Sequence, residues 1–270
     1  MTMSEAPTAD TRPHPALASQ SELMVRLVDI HKTFGQREVL KGISLDVPRG
    51  SVCVILGGSG MGKSVLMKHI IGLLRPDRGQ VVIDGEDITR LPELELRRVR
   101  RKFGMVFQQA ALFDSMSNYD NVAFPLREHM KLSKVALDKR VRELLELFSL
   151  DPDELGPRFP SEISGGQRKR VGLARAVALN PSIVLYDEPT TGLDPITTDQ
   201  VDEMILQAKA KLGVTSIVIS HDIASAFHIA DQLVFIYQGE IVARGGKDDM
   251  LAADHPFMRR FFSTWHEKNA

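Results

Sequence analysis

Hydrophobic residues along this chain form two patterns, short apolar runs and longer stripes with helical spacing. The short runs predict strands, at 23–30, 39–47, 51–56, 80–83, 103–107, 183–186, 214–220, 232–237 and 240–244. The stripes predict helices, at 65–74, 94–101, 137–148, 168–179 and 201–212. Together they predict an α/β fold that opens with a mixed sheet around one helix.

Polar and turn residues divide this pattern into regions. Turns are predicted at 31–35, at Asp84-Gly85 and at Gln238-Gly239. Ser133 is expected to cap the stripe that begins at Leu137, and Asp194-Pro195 to start the helix that follows. We expect a helical subdomain at about 109–165, inserted between two parts of the α/β core.

The two ends of the chain differ from this core. Residues 1–22 are rich in Pro, Ala, Ser and Thr, which predicts a disordered tail before a domain at 23–244. Residues 245–270 are predicted as a short helical tail. Its aromatic side chains could form an exposed apolar patch, made of Phe257, Phe261, Phe262 and Trp265.

Composition narrows the classes of function. Apolar residues make up 43% of the 270 residues, enough for a substantial core. The net charge of −1 provides no overall attraction to nucleic acid or anionic lipid, so no nucleic-acid partner is expected. The single cysteine, Cys53, is typical of a protein from a reducing compartment. No apolar run approaches the roughly 20 residues that span a bilayer, so any membrane role is expected to need a partner.

One stretch carries the clearest chemistry. It fits the phosphate-loop pattern Gly-x-x-x-x-Gly-Lys-[Ser/Thr] and reads Gly57-Gly58-Ser59-Gly60-Met61-Gly62-Lys63-Ser64. Glycines allow successive N–H groups to point at an anion, and the helix that follows, with Val65 in its first turn, adds its positive end. Lys63 is expected to reach the β- and γ-phosphates, and the Ser64 hydroxyl to bind Mg²⁺.

Two acidic residues follow the apolar run at 183–186. A carboxylate at the end of a parallel strand can hold Mg²⁺ directly or through water, which we expect of Asp187. The next carboxylate, Glu188, is placed to polarise a water for attack on the γ-phosphate. An ordinary surface turn before Pro189 is the alternative interpretation.

A second glycine-led helix start occurs at Ser164-Gly165-Gly166-Gln167. Since the chain already has a phosphate loop, this anion-receptive turn makes sense if it serves the ATP of another subunit. By spacing alone it is equally a common helix opening. On their own, Gln108 is typical of a solvated strand edge, His221 of a capped strand end, and Phe34 of a core or turn anchor.

Taken together, these residues resemble an ATP-binding-cassette (ABC) ATPase over about residues 23–244. The loop at 57–64 matches Walker A, and 164–167 match the signature motif, although Ile163 stands where leucine is more usual. The resemblance assigns single residues as well: Phe34 to adenine stacking, Gln108 to the Q-loop that contacts Mg²⁺ and the attacking water, Asp187 to Walker B, Glu188 to the catalytic base, Asp194 to the D-loop and His221 to the switch histidine.

The resemblance also implies a fold and a mechanism. The fold is a phosphate-loop NTPase with a RecA-like core, an antiparallel β subdomain and an inserted helical subdomain. The cofactors are ATP and Mg²⁺. Two cassettes close head to tail, trapping two ATP between the phosphate loop of one copy and Ser164-Gly165-Gly166 of the other, and hydrolysis reopens the pair. The Gln108 loop passes the motion to a transmembrane permease.

A narrower resemblance covers 107–114 and 121–129, where a permease coupling helix is expected to dock. This stretch is similar to cassettes of Mla-type lipid transporters and related mammalian-cell-entry systems, which maintain outer-membrane lipid asymmetry. That implies phospholipid or a similar apolar cargo, and a place on the cytoplasmic side of a bacterial inner membrane. The implied partners are permease subunits, a membrane-anchored periplasmic lipid-binding subunit and a small STAS-domain protein.

Three alternatives stay open. One is a cassette that imports an amino acid or another polar solute. Another is a soluble ABC protein without a transport role, although this class usually carries two cassettes or long coiled-coil insertions. The third is a phosphate-loop kinase for small metabolites, which would lack the Ser164–Gln167 element.

Overall fold

The computed structural model describes residues 22–269, with side chains up to Ser263. The predicted N-terminal tail, apart from Glu22, and the side chain of Trp265 lie outside the described residues. The strands are β1 (Leu23–Phe34), β2 (Arg37–Pro48), β3 (Val52–Leu56), β4 (Arg78–Ile83), β5 (Glu86–Asp87), β6 (Phe103–Val106), β7 (Ile183–Asp187), β8 (Thr215–Ser220), β9 (Gln232–Tyr237) and β10 (Glu240–Gly245). The helices are α1 (Lys63–Ile70), α2 (Glu93–Arg100), α3 (Asn118–His129), α4 (Lys134–Leu147), α5 (Gly165–Ala176), α6 (Pro195–Leu212), α7 (Ile223–Ile229), α8 (Lys247–Ala252) and α9 (Pro256–Asn269), with a 3-10 turn at Pro160–Glu162.

The strands form two sheets. An antiparallel sheet has the order β2-β1-β4-β5, and a larger sheet has the order β10-β9-β3-β8-β7-β6. In the larger sheet the pairs from β9 to β6 are parallel, and β10 pairs antiparallel with β9 at one edge. The α/β prediction is confirmed, and its single mixed sheet in the opening third is corrected, because β3 leaves its neighbours to join the larger sheet.

Strand β3 lies at the centre of the molecule. Every one of its residues is fully buried, which explains its uninterrupted apolar sequence. Val52, Val54 and Leu56 pack into a core shared with helices α3 to α9. Cys53 and Ile55, on the opposite face, pack into a second core with the antiparallel sheet, α1 and α2. The strand that leads into the phosphate loop is therefore held on both faces.

Helices α3 and α4 lie in the region predicted as a helical subdomain. Ser133 caps α4, since its Oγ accepts a hydrogen bond from the Ala136 amide at 3.2 Å. The predicted apolar stripe is buried at Val141, Leu144, Leu145 and Phe148. The boundary at 109–165 stays a prediction.

Several predicted limits were wrong. Strand β1 continues through the turn predicted at 31–35, because it pairs with β2 as far as Phe34 opposite Arg37. Helix α1 ends at Ile70, where the amides of Leu73 and Leu74 both bond back to the Lys68 carbonyl. The short helix α7 was not predicted, and its cap is Asp222, whose Oδ1 accepts from the Ala224 and Ser225 amides.

The aromatic tail packs on its own chain rather than forming an exposed patch. Phe262 is buried, and Phe257 and Phe261 are partly buried against the core. The rings of all three lie within 6.2 Å of the Phe235 ring on β9, centroid to centroid. The tail therefore belongs to the domain's core.

Candidate functional site

The phosphate loop follows β3 and leads directly into α1. Gly57 has φ +152°, and a Cβ there would lie 2.4 Å from the Ile236 carbonyl oxygen. Gly62 has φ +102° and precedes the helix, where a Cβ would lie 2.9 Å from Leu40 Cδ2. Both positions therefore require glycine, for backbone conformation and for close approach. The strand, loop and helix that the motif needs are all present.

The remaining loop residues differ in exposure. Ser59 and Gly60 are exposed and Gly58 is partly buried. Met61 turns back toward β9, and its Sδ accepts from the Gln238 amide at 3.4 Å. Val65 lies in the first turn of α1, where its carbonyl accepts a hydrogen bond from His69 Nδ1 at 2.7 Å. The Val65 carbonyl is thus bonded to a side chain of the same helix.

Lys63 is the best-anchored residue of the loop. Its side chain is only 7% exposed, and Nζ donates to the carbonyls of Gly57 at 2.7 Å and Gly58 at 3.1 Å. The same ammonium group lies 3.6 Å from Glu188 Oε1. Lys63 therefore spans the loop from inside and meets the acidic end of β7.

Glu188 joins three segments of the chain. Its backbone has φ +52°, unusual for a non-glycine residue, and its amide donates to the Ile219 carbonyl. Oε2 accepts from the Thr191 hydroxyl at 3.1 Å and lies 2.7 Å from His221 Nδ1. The structure thus brings together Lys63, Glu188 and His221, three residues that were predicted for the site from separate motifs.

Asp187 lies beside this cluster. Burial, together with the charge of Glu188, raises the pKa of the Asp187 carboxyl. The charges of Lys63 and Lys68 act in the opposite direction, and a divalent cation would add to the positive charge that favours the ionised carboxylate. The oxygen donors expected at this site, Ser64 Oγ on the exposed face of α1, Asp187 and the amide of Gln108, suit Mg²⁺. Among the described residues no three His, Cys, Asp or Glu side chains converge as a metal site.

Phe34 is the last residue of β1, and its side chain is accessible to a ligand. The residue is 46% exposed, and Lys32 Nζ lies 5.6 Å from its ring centroid. Lys32 also donates to Asp77 Oδ1 at 2.7 Å, while Asp77 Oδ2 accepts from the Thr33 amide at 2.7 Å. The strand end that presents Phe34 is fixed from two sides, a support that the sequence did not reveal.

A cavity of about 350 Å³ adjoins the phosphate loop on the same side as β2. Ser59, Gly60 and Met61 line it from the loop, and Arg37 lines it from β2. Arg37 also donates to the Gly60 carbonyl at 3.3 Å. Arg37 was not predicted from the sequence, where its position three residues after Phe34 is the signal that could have indicated it.

Helix α5 begins with the glycine-led turn. Ser164 Oγ accepts from the Gln167 amide at 3.2 Å, and Gln167 Oε1 accepts from the Ser164 amide at 2.9 Å, a complete capping box. Ser164 and Gly165 are exposed. The start of this helix is therefore preformed and faces outward, away from the chain's own cores.

The basic residues of α5 bind neighbouring loops. Arg168 donates to the carbonyls of Ile163 at 2.6 Å and Pro160 at 3.3 Å, and Lys169 donates to the Pro189 carbonyl. Arg175 donates to carbonyls in the loop that follows Gln108. Burial lowers the pKa of both Lys169 and Arg175. This basic helix therefore uses much of its charge for internal contacts.

Asp194 caps α6 as the sequence predicted. Its Oδ1 accepts from the Thr197 amide at 3.0 Å and its Oδ2 from the Thr197 hydroxyl at 2.5 Å. These bonds from Thr197 lower the pKa of the Asp194 carboxyl. Gln108 lies two residues beyond β6 with an exposed side chain. Gln108, Phe34 and Ser164–Gln167 belong to segments other than those that supply Lys63, Glu188 and His221.

Comparison with protein families agrees with this geometry. Residues 40–191, more than half of the chain, match the family described as ABC transporter. Among solved structures, a dimeric ATP-binding cassette, MJ0796, in a post-hydrolysis state with ADP and phosphate is 33% identical, with a TM-score of 0.74. The match covers 83% of this chain and 98% of that one.

Curated relatives come from transport systems. A probable ribonucleotide transport ATP-binding protein, Mkl of Mycobacterium leprae, is 42% identical over 88% of this chain and 68% of its own length. The intermembrane phospholipid transport system ATP-binding protein MlaF of Escherichia coli K12 is 40% identical over 88% of both chains. Among the described residues, no helix is both long enough and apolar enough to cross a membrane.

Proposed function

The chain belongs to the ABC transporter family as an ATP-binding subunit that hydrolyses ATP, and from this premise we propose that it drives phospholipid transport by a membrane permease complex. Subunits of this family act as dimers and work with permease subunits. The observation that carries the choice of cargo is the similarity to MlaF, which extends over 88% of both chains.

Binding of the triphosphate would change the partners of Lys63. Its ammonium group now bonds to the Gly57 and Gly58 carbonyls and faces Glu188. The β- and γ-phosphates would replace those partners with stronger charge-assisted bonds. The N–H groups of the loop and the start of α1 would bind the remaining oxygens, and Phe34 would stack on adenine.

Glu188 is the proposed general base. Its carboxylate already has Lys63, His221 and Thr191 around it, so it is oriented before substrate arrives. It would accept a proton from the attacking water. His221 would orient Glu188 through its hydrogen bond and also contact the γ-phosphate. Ser64, Asp187 and Gln108 would hold Mg²⁺, which neutralises charge on the β- and γ-phosphate oxygens.

The second γ-phosphate contact would come from another copy of the chain. Ser164 and Gly165 are exposed, and the capping box fixes the amides at the start of α5. A helix start of this kind suits an anion held by a facing surface. Asp194 would lie at the same dimer interface. We therefore expect two ATP molecules per closed dimer.

The proposed docking surface for the permease is formed by Phe107, Phe113 and Phe124. Each of these is between 36% and 42% exposed, and the rings of Phe113 and Phe124 lie 5.0 Å apart. Exposed aromatic side chains in contact are typical of a protein interface. A permease docked here would place the chain on the cytoplasmic side of an inner membrane, with a periplasmic lipid-binding subunit and a small STAS-domain protein as further partners.

Purification from membranes tests this proposal. The tagged chain is extracted in mild detergent, and co-purified proteins and lipids are identified by mass spectrometry. We expect an integral permease and bound phospholipid. Phe124→Ser should reduce recovery of the permease, whereas Val135→Ser, at an 80% exposed position on α4, should not. Recovery with a permease for a polar solute would contradict the lipid assignment.

A polar cargo is the second candidate, because the name of Mkl refers to ribonucleotide transport. The two candidates share the ATPase mechanism and differ only in the permease. ATPase stimulation of the purified complex by phospholipid vesicles, compared with ribonucleotides in lipid-free detergent, separates them.

A further inference from the structure

Arg175, near the end of α5, binds the loop that follows Gln108. One guanidinium nitrogen donates to the Ala111 carbonyl at 2.9 Å, and the other donates to the Ala110 carbonyl at 2.8 Å. The first nitrogen also lies 3.4 Å from Asn121 Oδ1. The guanidinium carbon lies 5.6 Å from the Phe113 ring centroid. One side chain of the signature helix thus contacts the Gln108 loop and the proposed docking surface.

The loop has an unusual backbone at the point of contact. Ala110 has φ +60° and Ala111 has φ +46°, a left-handed conformation that costs about 1 kcal/mol or more per residue without glycine. Ala110 is 2% exposed. The two carbonyls that Arg175 binds belong to these two residues. The forked guanidinium therefore stabilises a loop shape that alanine does not favour by itself.

The same helix face leaves room for the loop. A Cβ on Gly172, one turn before Arg175, would lie 3.0 Å from the Ala110 side chain. Asn121 fixes the far side of the loop, since its side chain bonds to the backbone of Phe113 on both its N–H and its carbonyl. The loop therefore sits tightly between α5 and α3, with Gln108 two residues before Ala110.

The opposite end of α5 carries the signature turn. The helix runs from Gly165 to Ala176, a distance of about 17 Å at 1.5 Å per residue. Arg168 and Lys169 tie its first turn to the carbonyls of Ile163, Pro160 and Pro189. A shift of the helix would therefore move the signature turn at one end and the Gln108 loop at the other.

We propose that Arg175 is a positioning residue that makes the Gln108 loop move together with the signature helix. Gln108 reaches its catalytic position only when Ser164-Gly165-Gly166 moves with it, so hydrolysis is restricted to the closed dimer. This inference rests on the role of Gln108 in the proposed function. Arg175 acts through the loop, because the groups that it binds are the carbonyls of Ala110 and Ala111.

A purely structural role for Arg175 predicts a different result. In that case its loss would destabilise the fold and weaken every activity together, because the carbonyls of Ala110 and Ala111 would lose their donor. Positioning predicts a selective effect on the hydrolytic step. The two roles therefore separate in the kinetics of variants at 175 and 108.

The experiment compares Arg175→Ala, Arg175→Lys, Gln108→Ala and the double variant Q108A/R175A. Arg158→Ala is the matched control, since Arg158 pairs with Glu154 on the surface of the same region. For each full-length protein, four quantities are measured: kcat, the apparent KM for Mg²⁺, the Kd for ATP in EDTA and the melting temperature. Fluorescent-nucleotide titration supplies the Kd.

With Arg175→Ala we expect kcat to fall about tenfold and the Mg²⁺ KM to rise, while the ATP Kd stays within about twofold. Lysine can donate to one carbonyl but lacks the fork, so Arg175→Lys should recover part of kcat. In the Q108A background, the additional change to alanine at 175 should alter kcat by less than about twofold, because residues acting through one another are not additive.

Three results would overturn the inference. One is a kcat of the double variant that falls by the product of the two single effects, while Q108A itself is slow. That result would overturn the coupling and leave the proposed role of Gln108 intact. Another is a parallel rise in the ATP Kd and KM. Wild-type turnover by Q108A would overturn both this inference and the proposed role of Gln108. If Arg175→Ala does not fold, Gly172→Ala replaces it, because the added methyl group crowds Ala110 while Arg175 stays in place. Gly172→Ala should then show the same loss of kcat. In the Q108A background that loss should again be absent.

Discussion

Lys63 Nζ and Glu188 Oε1 lie 3.6 Å apart, with 7% and 20% of their side chains exposed. The two residues come from the loop after β3 and the end of β7, strands that are separated in the sheet by β8. Each charge compensates the other in this arrangement. A bound triphosphate would bring negative charge to Lys63 and so weaken its ion pair with Glu188. The Glu188 carboxylate could then accept a proton from the attacking water. ATP binding would in this way make the base available for hydrolysis.

Removing the charge of Glu188 should separate binding from hydrolysis. Glu188→Gln keeps the shape of the side chain and its contacts with Thr191 and His221 but cannot accept the proton. We expect ATP to bind while turnover falls about 100-fold or more. The ATP-bound dimer should then persist in gel filtration with Mg²⁺. Undiminished turnover would contradict the assigned base, and Glu203→Gln, on the exposed surface of α6, is the control.

Loss of Lys63 should act on nucleotide binding itself. Lys63→Ala removes the one buried cation inside the loop and leaves the Gly57 and Gly58 carbonyls without their donor. The affinity for ATP, measured by fluorescent-nucleotide titration, should fall at least tenfold, because charge-assisted bonds to phosphate are strong. Lys68→Ala changes an exposed lysine of the same helix and should bind normally. Unchanged affinity in Lys63→Ala would contradict this role.

Asp202 should make stability depend on pH. Its side chain is 1% exposed on α6, and its Oδ1 accepts from the Ser225 hydroxyl of α7 at 2.5 Å. Burial raises the pKa of Asp202 to about 6. The folded state therefore binds this proton more tightly than the unfolded state, so its stabilising effect is complete below about pH 4 and is lost as pH rises through 6.

Asp202→Asn should remove that dependence, because the amide is neutral and its oxygen can still accept from Ser225. The stability of the variant relative to the wild type should rise from pH 4 to pH 6 and then level off, by on the order of 3 kcal/mol. Urea unfolding at pH 4.5 and pH 8 measures the difference. A difference that does not change between these two pH values would show that Asp202 titrates normally.

Truncation of the aromatic tail should lower the free energy of unfolding of the domain, because the tail packs against the domain's own core. Phe262 is 6% exposed and lies 6.1 Å from Phe235, ring to ring. Phe262→Ala should therefore lower the free energy of unfolding by about 3 kcal/mol. The same tail also reaches the loop, since Phe257 lies 3.6 Å from the position of a Cβ on Gly58.

Phe257→Ala is thus expected to reduce ATP affinity moderately in addition to its effect on stability. Thermal melts with and without ATP separate the two effects. A tail-less protein with wild-type stability and affinity would contradict this packing. Arg260→Ala, at an exposed position of α9, provides a comparison within the same helix.

Much of the site could be predicted from the sequence, since each motif is a local stretch with its own chemistry. The phosphate loop needs glycines at 57 and 62 for reasons that the backbone there confirms. Ser133 and Asp194 cap their helices as predicted, because capping depends on residues within three positions. The strand runs were also found, because a strand that is buried on both faces must be apolar throughout.

Contacts between distant segments could not be predicted. Nothing near Glu188 in the chain indicates that Lys63 and His221 would meet its two oxygens. The stretch 168–175 was predicted to be helical, but nothing in it indicates that its basic side chains bind carbonyls of three other segments. The aromatic tail was predicted to form an exposed apolar patch, whereas in the fold Phe261 packs against Phe235.

The sequence by itself determined the α/β class, the phosphate loop, the acidic pair at 187–188 and the two capped helix starts, because these depend on hydrogen bonds and backbone angles within a few residues. Tertiary structure alone decided that β3 joins the larger sheet, that Lys63 faces Glu188 and that Arg175 holds the Gln108 loop. The physical reason is that these relationships depend on packing between segments far apart in the chain, where many partners have suitable chemistry and only the complete fold selects one.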